Sequence, residues 1–512
     1  MSIAISHSAQ LTGLRSEVIT IEVDISNGLH AFSIVGLGDR SVDEARDRVS
    51  AAIKNSGYVS PKQKNQKVVI SLAPADVRKE GPSFDLAMAV AYLAASEEIE
   101  LDPERKLFLG ELSLDGSIRK VSGILPILCQ AAAQGFTSVF IPKSNESEAA
   151  LARDITIYAV SNLKELIEHI KNIQRIAPTL PRAPNLNHEN NTGMSTPHEH
   201  DLSMIRGNES AKRGLEIAAA GAHNIVMSGP PGTGKTMLAQ SFGSILPALS
   251  YEQSIEVTSI HSAAKTLRED LIAYPPFRAP HHTASYPAVI GGGSFPKPGE
   301  VTLAHRGILF LDEFPEFNRE VIEALRQPLE DRSITISRAR GVVTFPAQCI
   351  LVASMNPCPC GLGKDKGCKC SEKLITAYKR KISGPIMDRV DIWVNVTKID
   401  YAKLAQRSLI VENSATVRSR VQSARARQQA RFKKKGLAIC YNSEMDAKNI
   451  ESCIQMTEDA RSTLRFSAER LGLSGRAFHR IIKVSQTIAD LAGVEEIKKD
   501  FILEAIQYRE KI

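Results

Sequence analysis

The sequence predicts an α/β protein with a mixed N-terminal domain, a parallel-sheet domain carrying a phosphate loop, and a helical C-terminal region. Three observations predict it. The stretch from Asn224 to Thr236 (NIVMSGPPGTGKT) places an apolar run, a glycine-rich turn and a helix start in that order. Ile308 to Leu311 and Cys349 to Met355 are continuous apolar runs, the pattern of central parallel strands covered on both faces. Before residue 172 apolar runs alternate with helix-like segments, whereas after residue 401 apolar positions recur at helical spacing.

The remaining bulk properties are ordinary. At 512 residues, 43% hydrophobic and 24% charged, the chain has room for several cores. The opening residues MSIAISHSAQLTGL lack a basic segment and a long apolar run, so no signal peptide is expected. No uncharged apolar stretch approaches the roughly 20 residues of a membrane helix. Eight cysteines, four of them crowded between Cys358 and Cys370, point to metal in a reducing, cytoplasmic setting and not to a disulfide framework.

In the expected first domain, residues 1–172, apolar runs at Val18 to Val23, Val68 to Leu72 and Val139 to Ile141 interleave with helix-like Ser41 to Ser56, Phe84 to Ala95 and Leu125 to Gln134. Arg78 to Leu93 (RKEGPSFDLAMAVAYL), Gly110 to Ile124 and Gly135 to Asn145 resemble the proteolytic domain of Lon proteases. That resemblance puts Ser83 in the place of the family's serine and Leu125 in the place of its lysine. A serine hydroxyl needs an adjacent base to attack at neutral pH, and leucine supplies none. The domain is therefore expected to be inactive as a peptidase, with Ser83 a helix N-cap or turn hydroxyl. Residues 173–200 collect Pro178, Pro181, Pro184 and Pro197 among asparagines and read as a flexible linker.

The parallel-sheet domain is expected over residues 201–400. Gly229, Pro230, Pro231, Gly232, Thr233, Gly234, Lys235 and Thr236 form the phosphate loop, whose glycines let backbone N–H groups face phosphate oxygens. Lys235 reaches the β- and γ-phosphates of a nucleoside triphosphate, and the Thr236 hydroxyl ligates Mg²⁺. Asp312, at the carboxyl end of its strand, supports the same ion. Glu313 faces the γ-phosphate and polarises the attacking water.

Asn356 follows the second apolar run, and the combination resembles the AAA+ ATPases, in which Asn356 would be the first sensor. The resemblance makes Arg389, in Ser383 to Val394 (SGPIMDRVDIWV), the arginine finger, with Arg380 as runner-up. It makes Arg476, in Leu473 to Gly493, the second sensor on a helical lid spanning residues 401–512. An arginine supplied to a neighbour requires a ring, and the family is usually hexameric. Pro275 to Gly307 is rich in Gly and Pro and reads as long ordered loops. Its phrases FRAPHH, IGGG and PKPGEVTLAHRGILFLDE, with LRQPLE beyond, are similar to the magnesium-chelatase ATPase subunit and more closely to the YifB/ComM family. That family implies a homo-hexameric helicase driving DNA branch migration during natural transformation. The alternative is a chelatase-like or protein-remodelling ATPase; a protease is disfavoured by Leu125.

A hairpin from Ile334 to Phe345 has β-branched arms and a turn with Arg338 and Arg340. These arginines, with Lys297, either hold phosphates of a threaded strand or form a solvated tip. Cys358, Cys360, Cys368 and Cys370 follow a C-x-C-x7-C-x-C pattern, which suits structural Zn²⁺ or leaves reduced thiols on a loop. Between Arg418 and Lys435 there are eight basic residues and no acidic one. There Arg420, Arg427, Arg431 and Lys434 share a helical face that is either solvated or turned to phosphates.

Overall fold

The computed structural model describes residues 2–63, 65–182, 200–293, 296–338, 341–363, 367–398 and 412–509. The chain divides into two compact units, Met1–Leu186 with Tyr251–Ile272, and Asn187–Ser250 with Ala273–Ile512. The expected 201–400 span therefore contributes a segment to each unit. Among the described residues no helix is long and apolar enough to cross a membrane.

The first unit is mixed α/β. One sheet runs in the order Ser2–Thr12, Arg15–Asn27, Gln66–Ala73, Ala31–Val35, with only the last pair parallel. Alternation sets its buried face: Ile19, Ile21 and Val23 point inward with Val68, Ile70 and Leu72. Against them pack Arg40–Asn55, whose Asp39 caps Val42 N–H at 2.9 Å, and Asp85–Ala95. A second, parallel sheet joins Lys106–Phe108, Ser138–Pro142 and Thr156–Val160. The helix Tyr251–Ala263 completes this unit: its Ser262 Oγ accepts Gly123 N–H at 3.1 Å, and Tyr251 OH donates to Leu151 O at 2.6 Å.

The structure bears on three local expectations here. The N-cap of Asp85–Ala95 is Phe84, with no side-chain cap bond, so Ser83 is not the cap; its carbonyl accepts Gly110 N–H at 3.1 Å. Leu125 is fully buried in an apolar cluster, its N–H donating to Glu148 Oε1 at 3.1 Å. The start of the expected linker is tied down: Thr179 N–H bonds Ile157 O and Arg182 N–H bonds Ala150 O, both at 2.8 Å. The rest of it, residues 183–199, lies outside the described residues.

The second unit is built on a five-stranded sheet in the order Phe277–Arg278, Ile308–Leu311, Ile350–Met355, Ile225–Ser228, Ile392–Asn395, parallel throughout. All residues of Ile308–Leu311 and Ile350–Met355 are buried, as strands covered on both faces must be. Phe277–Arg278 is a short edge strand inside the Gly/Pro-rich region read as loops, where Pro275 and Pro276 cost no ladder bond. The hairpin forms, with Ser333–Arg338 antiparallel to Gly341–Pro346. Arg340 and the Arg338 side chain lie outside the described residues.

Helices Ser414–Lys434, Ala447–Cys453, Glu458–Leu471, Gly475–Ala492 and Lys499–Gln507 form the C-terminal part. Val417, Val421, Ala424 and Phe432 share a core with Ile481, Ile482, Val484 and Ile488. Three residues of the basic face of Ser414–Lys434 are tied to groups of this chain, while part of the face stays solvated. Arg420 pairs with Glu216 at 2.6 Å and Glu412 at 2.8 Å, Arg431 pairs with Asp490 at 2.6 Å, and Arg427 donates to Asp490 O at 2.9 Å. Of the four, Arg427 and Lys434 are exposed, and Arg420 and Arg431 are half-buried.

Candidate nucleotide-binding site

Ile225–Ser228 ends where its neighbours Ile350–Met355 and Ile308–Leu311 end, so loops from three parallel strands open on one side. Gly229 must be glycine: a Cβ would lie 2.2 Å from Val396 O, while its N–H donates to Met355 O at 3.2 Å. Gly232 (φ +74) and Gly234 (φ +86) turn the loop into the helix Lys235–Ser244. Thr233, nearly buried, closes the loop by donating from Oγ1 to Pro230 O at 2.9 Å.

Lys235 Nζ donates to Gly229 O at 2.6 Å, Pro230 O at 2.9 Å and Asn356 Oδ1 at 3.2 Å. These three acceptors use all three donors of the ammonium, so a phosphate enters by exchanging with them. Burial pulls the Lys235 ammonium below its ordinary pKa, against the opposing pull of Asp312 and Glu313. Thr236 Oγ1 donates to Asp312 Oδ2 at 3.0 Å. A hydroxyl and a carboxylate at that separation, flanking a phosphate loop, are the hard oxygen donors that suit Mg²⁺. Asp312 Oδ1 accepts from the Ser354 hydroxyl and from Glu313 N–H, the latter at 3.0 Å.

Glu313 adopts a left-handed backbone (φ +53) that turns its side chain off the strand direction. Its Oε2 lies 3.5 Å from Nδ1 of His282, whose ring is tilted against that of His281 with centroids 4.2 Å apart. His282 was not singled out from sequence; the signal available was its place in FRAPHH, a phrase used only for resemblance.

Arg389 and Arg476 are elsewhere. The carbonyl of Arg389 accepts from Asn224 Nδ2 at 3.1 Å, at the amino end of the strand that carries the phosphate loop on its carboxyl end. Arg389 and Arg476 converge on Glu330, Arg389 in a close ion pair and Arg476 at 3.8 Å. With Arg306, Arg480 and Lys483 they line a cavity of about 480 Å³. Arg389 Nε and Arg480 Nη1 are buried there without a hydrogen-bond partner. Burial, together with the charges of Arg476, Arg326 and Arg480, lowers the pKa of Arg389 from its ordinary value. Beneath them, burial would raise the Asp391 carboxyl, but the His223 bond and the charges of His223, Arg480 and Lys483 hold it down to about 2.

Lys297 is exposed, in a strand Lys297–Pro298 paired with Gly291–Gly292. A Cβ on Gly291 would meet Ile336 Cδ1 at 2.9 Å, so this insert packs on the Ser333–Pro346 hairpin. The four cysteines Cys358, Cys360, Cys368 and Cys370 bring their sulfurs within 4.8 Å of one another.

Comparison with known proteins agrees with this arrangement. Family models described as magnesium chelatase, subunit ChlI, match residues 201–404 and 21–145, and one for the ChlI C-terminal part matches residues 411–509. Fold, phosphate loop and matches define a magnesium-chelatase-like AAA+ ATPase. The chain is 40% identical over 511 residues to competence protein ComM of Haemophilus influenzae, covering 99% of this chain and 98% of that one. It is 39% identical over 515 residues to the uncharacterized protein YifB of Escherichia coli, covering 99% and 97%. The chain belongs to the YifB/ComM family. A shorter likeness, 32% over 94 residues, links 18% of this chain to 22% of the DNA repair protein RadA of Streptococcus pneumoniae.

Proposed function

We propose that the chain is a ring-forming ATPase that uses ATP and Mg²⁺ to move DNA, promoting branch migration during recombination in natural transformation. The observation that carries the ring is the separation of the arginines from the phosphate loop. Ile225–Ser228 spans four residues, about 13 Å at roughly 3.3 Å per residue, and Arg389 and Arg476 cluster at its far end. Side chains there serve the nucleotide of a neighbouring copy, and a chain that both donates and receives such arginines closes into a ring, here read as a hexamer. Arg389 Nε and Arg480 Nη1, orphaned in a cationic cavity, fit an incoming anion.

Within one site, Lys235 and the loop amides bind the triphosphate, and Asn356 orients Lys235. Thr236 and Asp312 would hold Mg²⁺, which would supply neutralisation of the charge on the phosphates. Glu313, steadied by His282, takes the proton of the attacking water. Lys297 and the hairpin with Arg338 and Arg340 would contact DNA phosphates. Support for DNA comes from the names of the relatives, competence protein ComM and DNA repair protein RadA. The Lon-like reading of the first unit gives it a role in assembly, regulation or contact with a substrate or partner.

ATP hydrolysis measured with and without forked duplex DNA, at two salt concentrations, tests this. A DNA motor is stimulated, and its DNA affinity falls steeply with salt. Equal rates with and without DNA would favour the remodelling or chelatase-like alternative.

A further inference from the structure

Four thiols converge immediately beside the phosphate loop. Cys358 Sγ lies 3.3 Å from Cys360 Sγ and 3.8 Å from Cys368 Sγ, and Cys360 Sγ lies 3.6 Å from Cys368 Sγ. A tetrahedral ion with Zn–S bonds of about 2.3 Å holds its sulfurs about 3.8 Å apart. The observed spacing fits that cage. Cys358 is fully buried, and its sulfur accepts Gly363 N–H at 3.1 Å, the kind of backbone bond that steadies a ligating thiolate.

The cage is joined to the nucleotide site at several points. Cys358 comes two residues after Asn356, whose Oδ1 holds Lys235 Nζ at 3.2 Å. Tyr378, a buried residue, lies on the helix Glu372–Lys379 that begins just after Cys370. Gly361 (φ +82) turns the chain between the two cysteine pairs, its N–H on Cys358 O at 2.9 Å. A Cβ on Gly361 would lie 2.7 Å from both Cδ and Cγ of Pro231, so the cysteine turn sits in contact with the phosphate loop itself. Gly363 meets Pro357 in the same way, a Cβ there lying 3.0 Å from Cγ.

We propose that Cys358, Cys360, Cys368 and Cys370 bind a Zn²⁺ ion in a closed tetrathiolate site that braces the phosphate loop through Pro231 and the first sensor through Asn356. Four protein ligands leave no open coordination position, so the ion is structural. Its effect on nucleotide rests on the ATPase reading above; the metal site does not. Without the ion, the turn from Cys358 to Gly363 loses its anchor, and Pro231 and Asn356 lose the surface that holds them.

The test measures zinc and nucleotide affinity on the same samples. Elemental analysis of the full chain, purified without chelator, is expected to give about one zinc per chain, falling to about a tenth or less in Cys368→Ser/Cys370→Ser. Loss of the metal is expected to weaken binding of a fluorescent ATP analogue about tenfold or more. Gly361→Ala is expected to keep its zinc and still bind the analogue more weakly, because the methyl group displaces Pro231. Should the double variant fail to fold by circular dichroism, zinc is stripped from the wild-type chain with a chelator and then restored. Affinity should fall and return with the metal. Wild-type protein with almost no zinc overturns the site. Zinc-free protein that binds the analogue as tightly as the loaded form overturns the brace. Protein that carries zinc but never binds the analogue upholds the metal site and overturns the ATPase reading and, with it, the brace.

Discussion

Arg389→Ala tests whether each nucleotide is completed by a second copy of the chain. The substitution removes a 2.7 Å bond from Nη1 to Pro385 O and the pairing with half-exposed Glu330, while the Arg389 carbonyl stays on Asn224. Those losses amount to about 1–2 kcal/mol of stability at most. An arginine finger is worth roughly 10³- to 10⁵-fold in turnover, about 4–7 kcal/mol of barrier. The catalytic effect exceeds the structural one, so turnover should collapse while the fold and nucleotide affinity hold. A mixing assay then locates the arginine. Neither Arg389→Ala nor Glu313→Gln alone should hydrolyse ATP. If Arg389 acts on a neighbour, a ring holding both variants contains interfaces where intact Glu313 meets intact Arg389. Random equimolar mixing would restore about a quarter of the sites. If the arginine served its own chain, no site in the mixture would be complete. Mixed protein that stays inactive, or Arg389→Ala protein with near wild-type turnover, would refute the argument from sheet geometry.

Further outcomes follow from the same site. Glu313→Gln should bind ATP normally and lose about 10²- to 10⁴-fold in turnover, read by single-turnover hydrolysis against equilibrium binding. Lys235→Ala should fail earlier, with nucleotide affinity itself lost, because it removes the ammonium that bridges Gly229, Pro230 and Asn356. His282→Ala should lower turnover several-fold with KM little changed, since His282 touches Glu313 at 3.5 Å and no phosphate-loop group; a change in KM alone would count against that role. Asp391→Asn should cost about 2 kcal/mol at neutral pH. The folded-state pKa of Asp391, about 2, lies below its ordinary 3.8, so this stability is present above about pH 4 and lost as pH falls toward 2. Fluorescence of the single tryptophan, Trp393, two residues from Asp391, reports urea unfolding; a gap between the two proteins that widens on acidification would contradict the sign.

Much of the candidate nucleotide site was legible because its chemistry is local. The apolar strand, the glycine turn and Lys235-Thr236 occupy one short stretch, and each residue type there has few other physical uses. Asp312, Glu313 and Asn356 were legible for a related reason: each ends a continuous apolar run, and parallel strands bring their carboxyl ends to one side. The edge strand Phe277–Arg278 escaped notice because two residues beside two prolines carry no periodicity. The ion pairs of Arg420 and Arg431 were not legible because their partners Glu216 and Asp490 are distant in sequence, so the string shows charge but not its neutralisation.

By itself, the order of residues determined that this chain has the phosphate-loop pattern and where the strands around it end. Only the tertiary structure decided that Tyr251–Ile272 leaves the second unit for the first, and that Arg389 and Arg476 meet at Glu330 on the far end of the sheet. It also decided that the cysteine turn rests on Pro231. The difference is physical: backbone conformation and local hydrogen bonding depend on neighbours in sequence. Burial, charge pairing and van der Waals contact depend on which segments pack together, and that choice is made by the whole core at once.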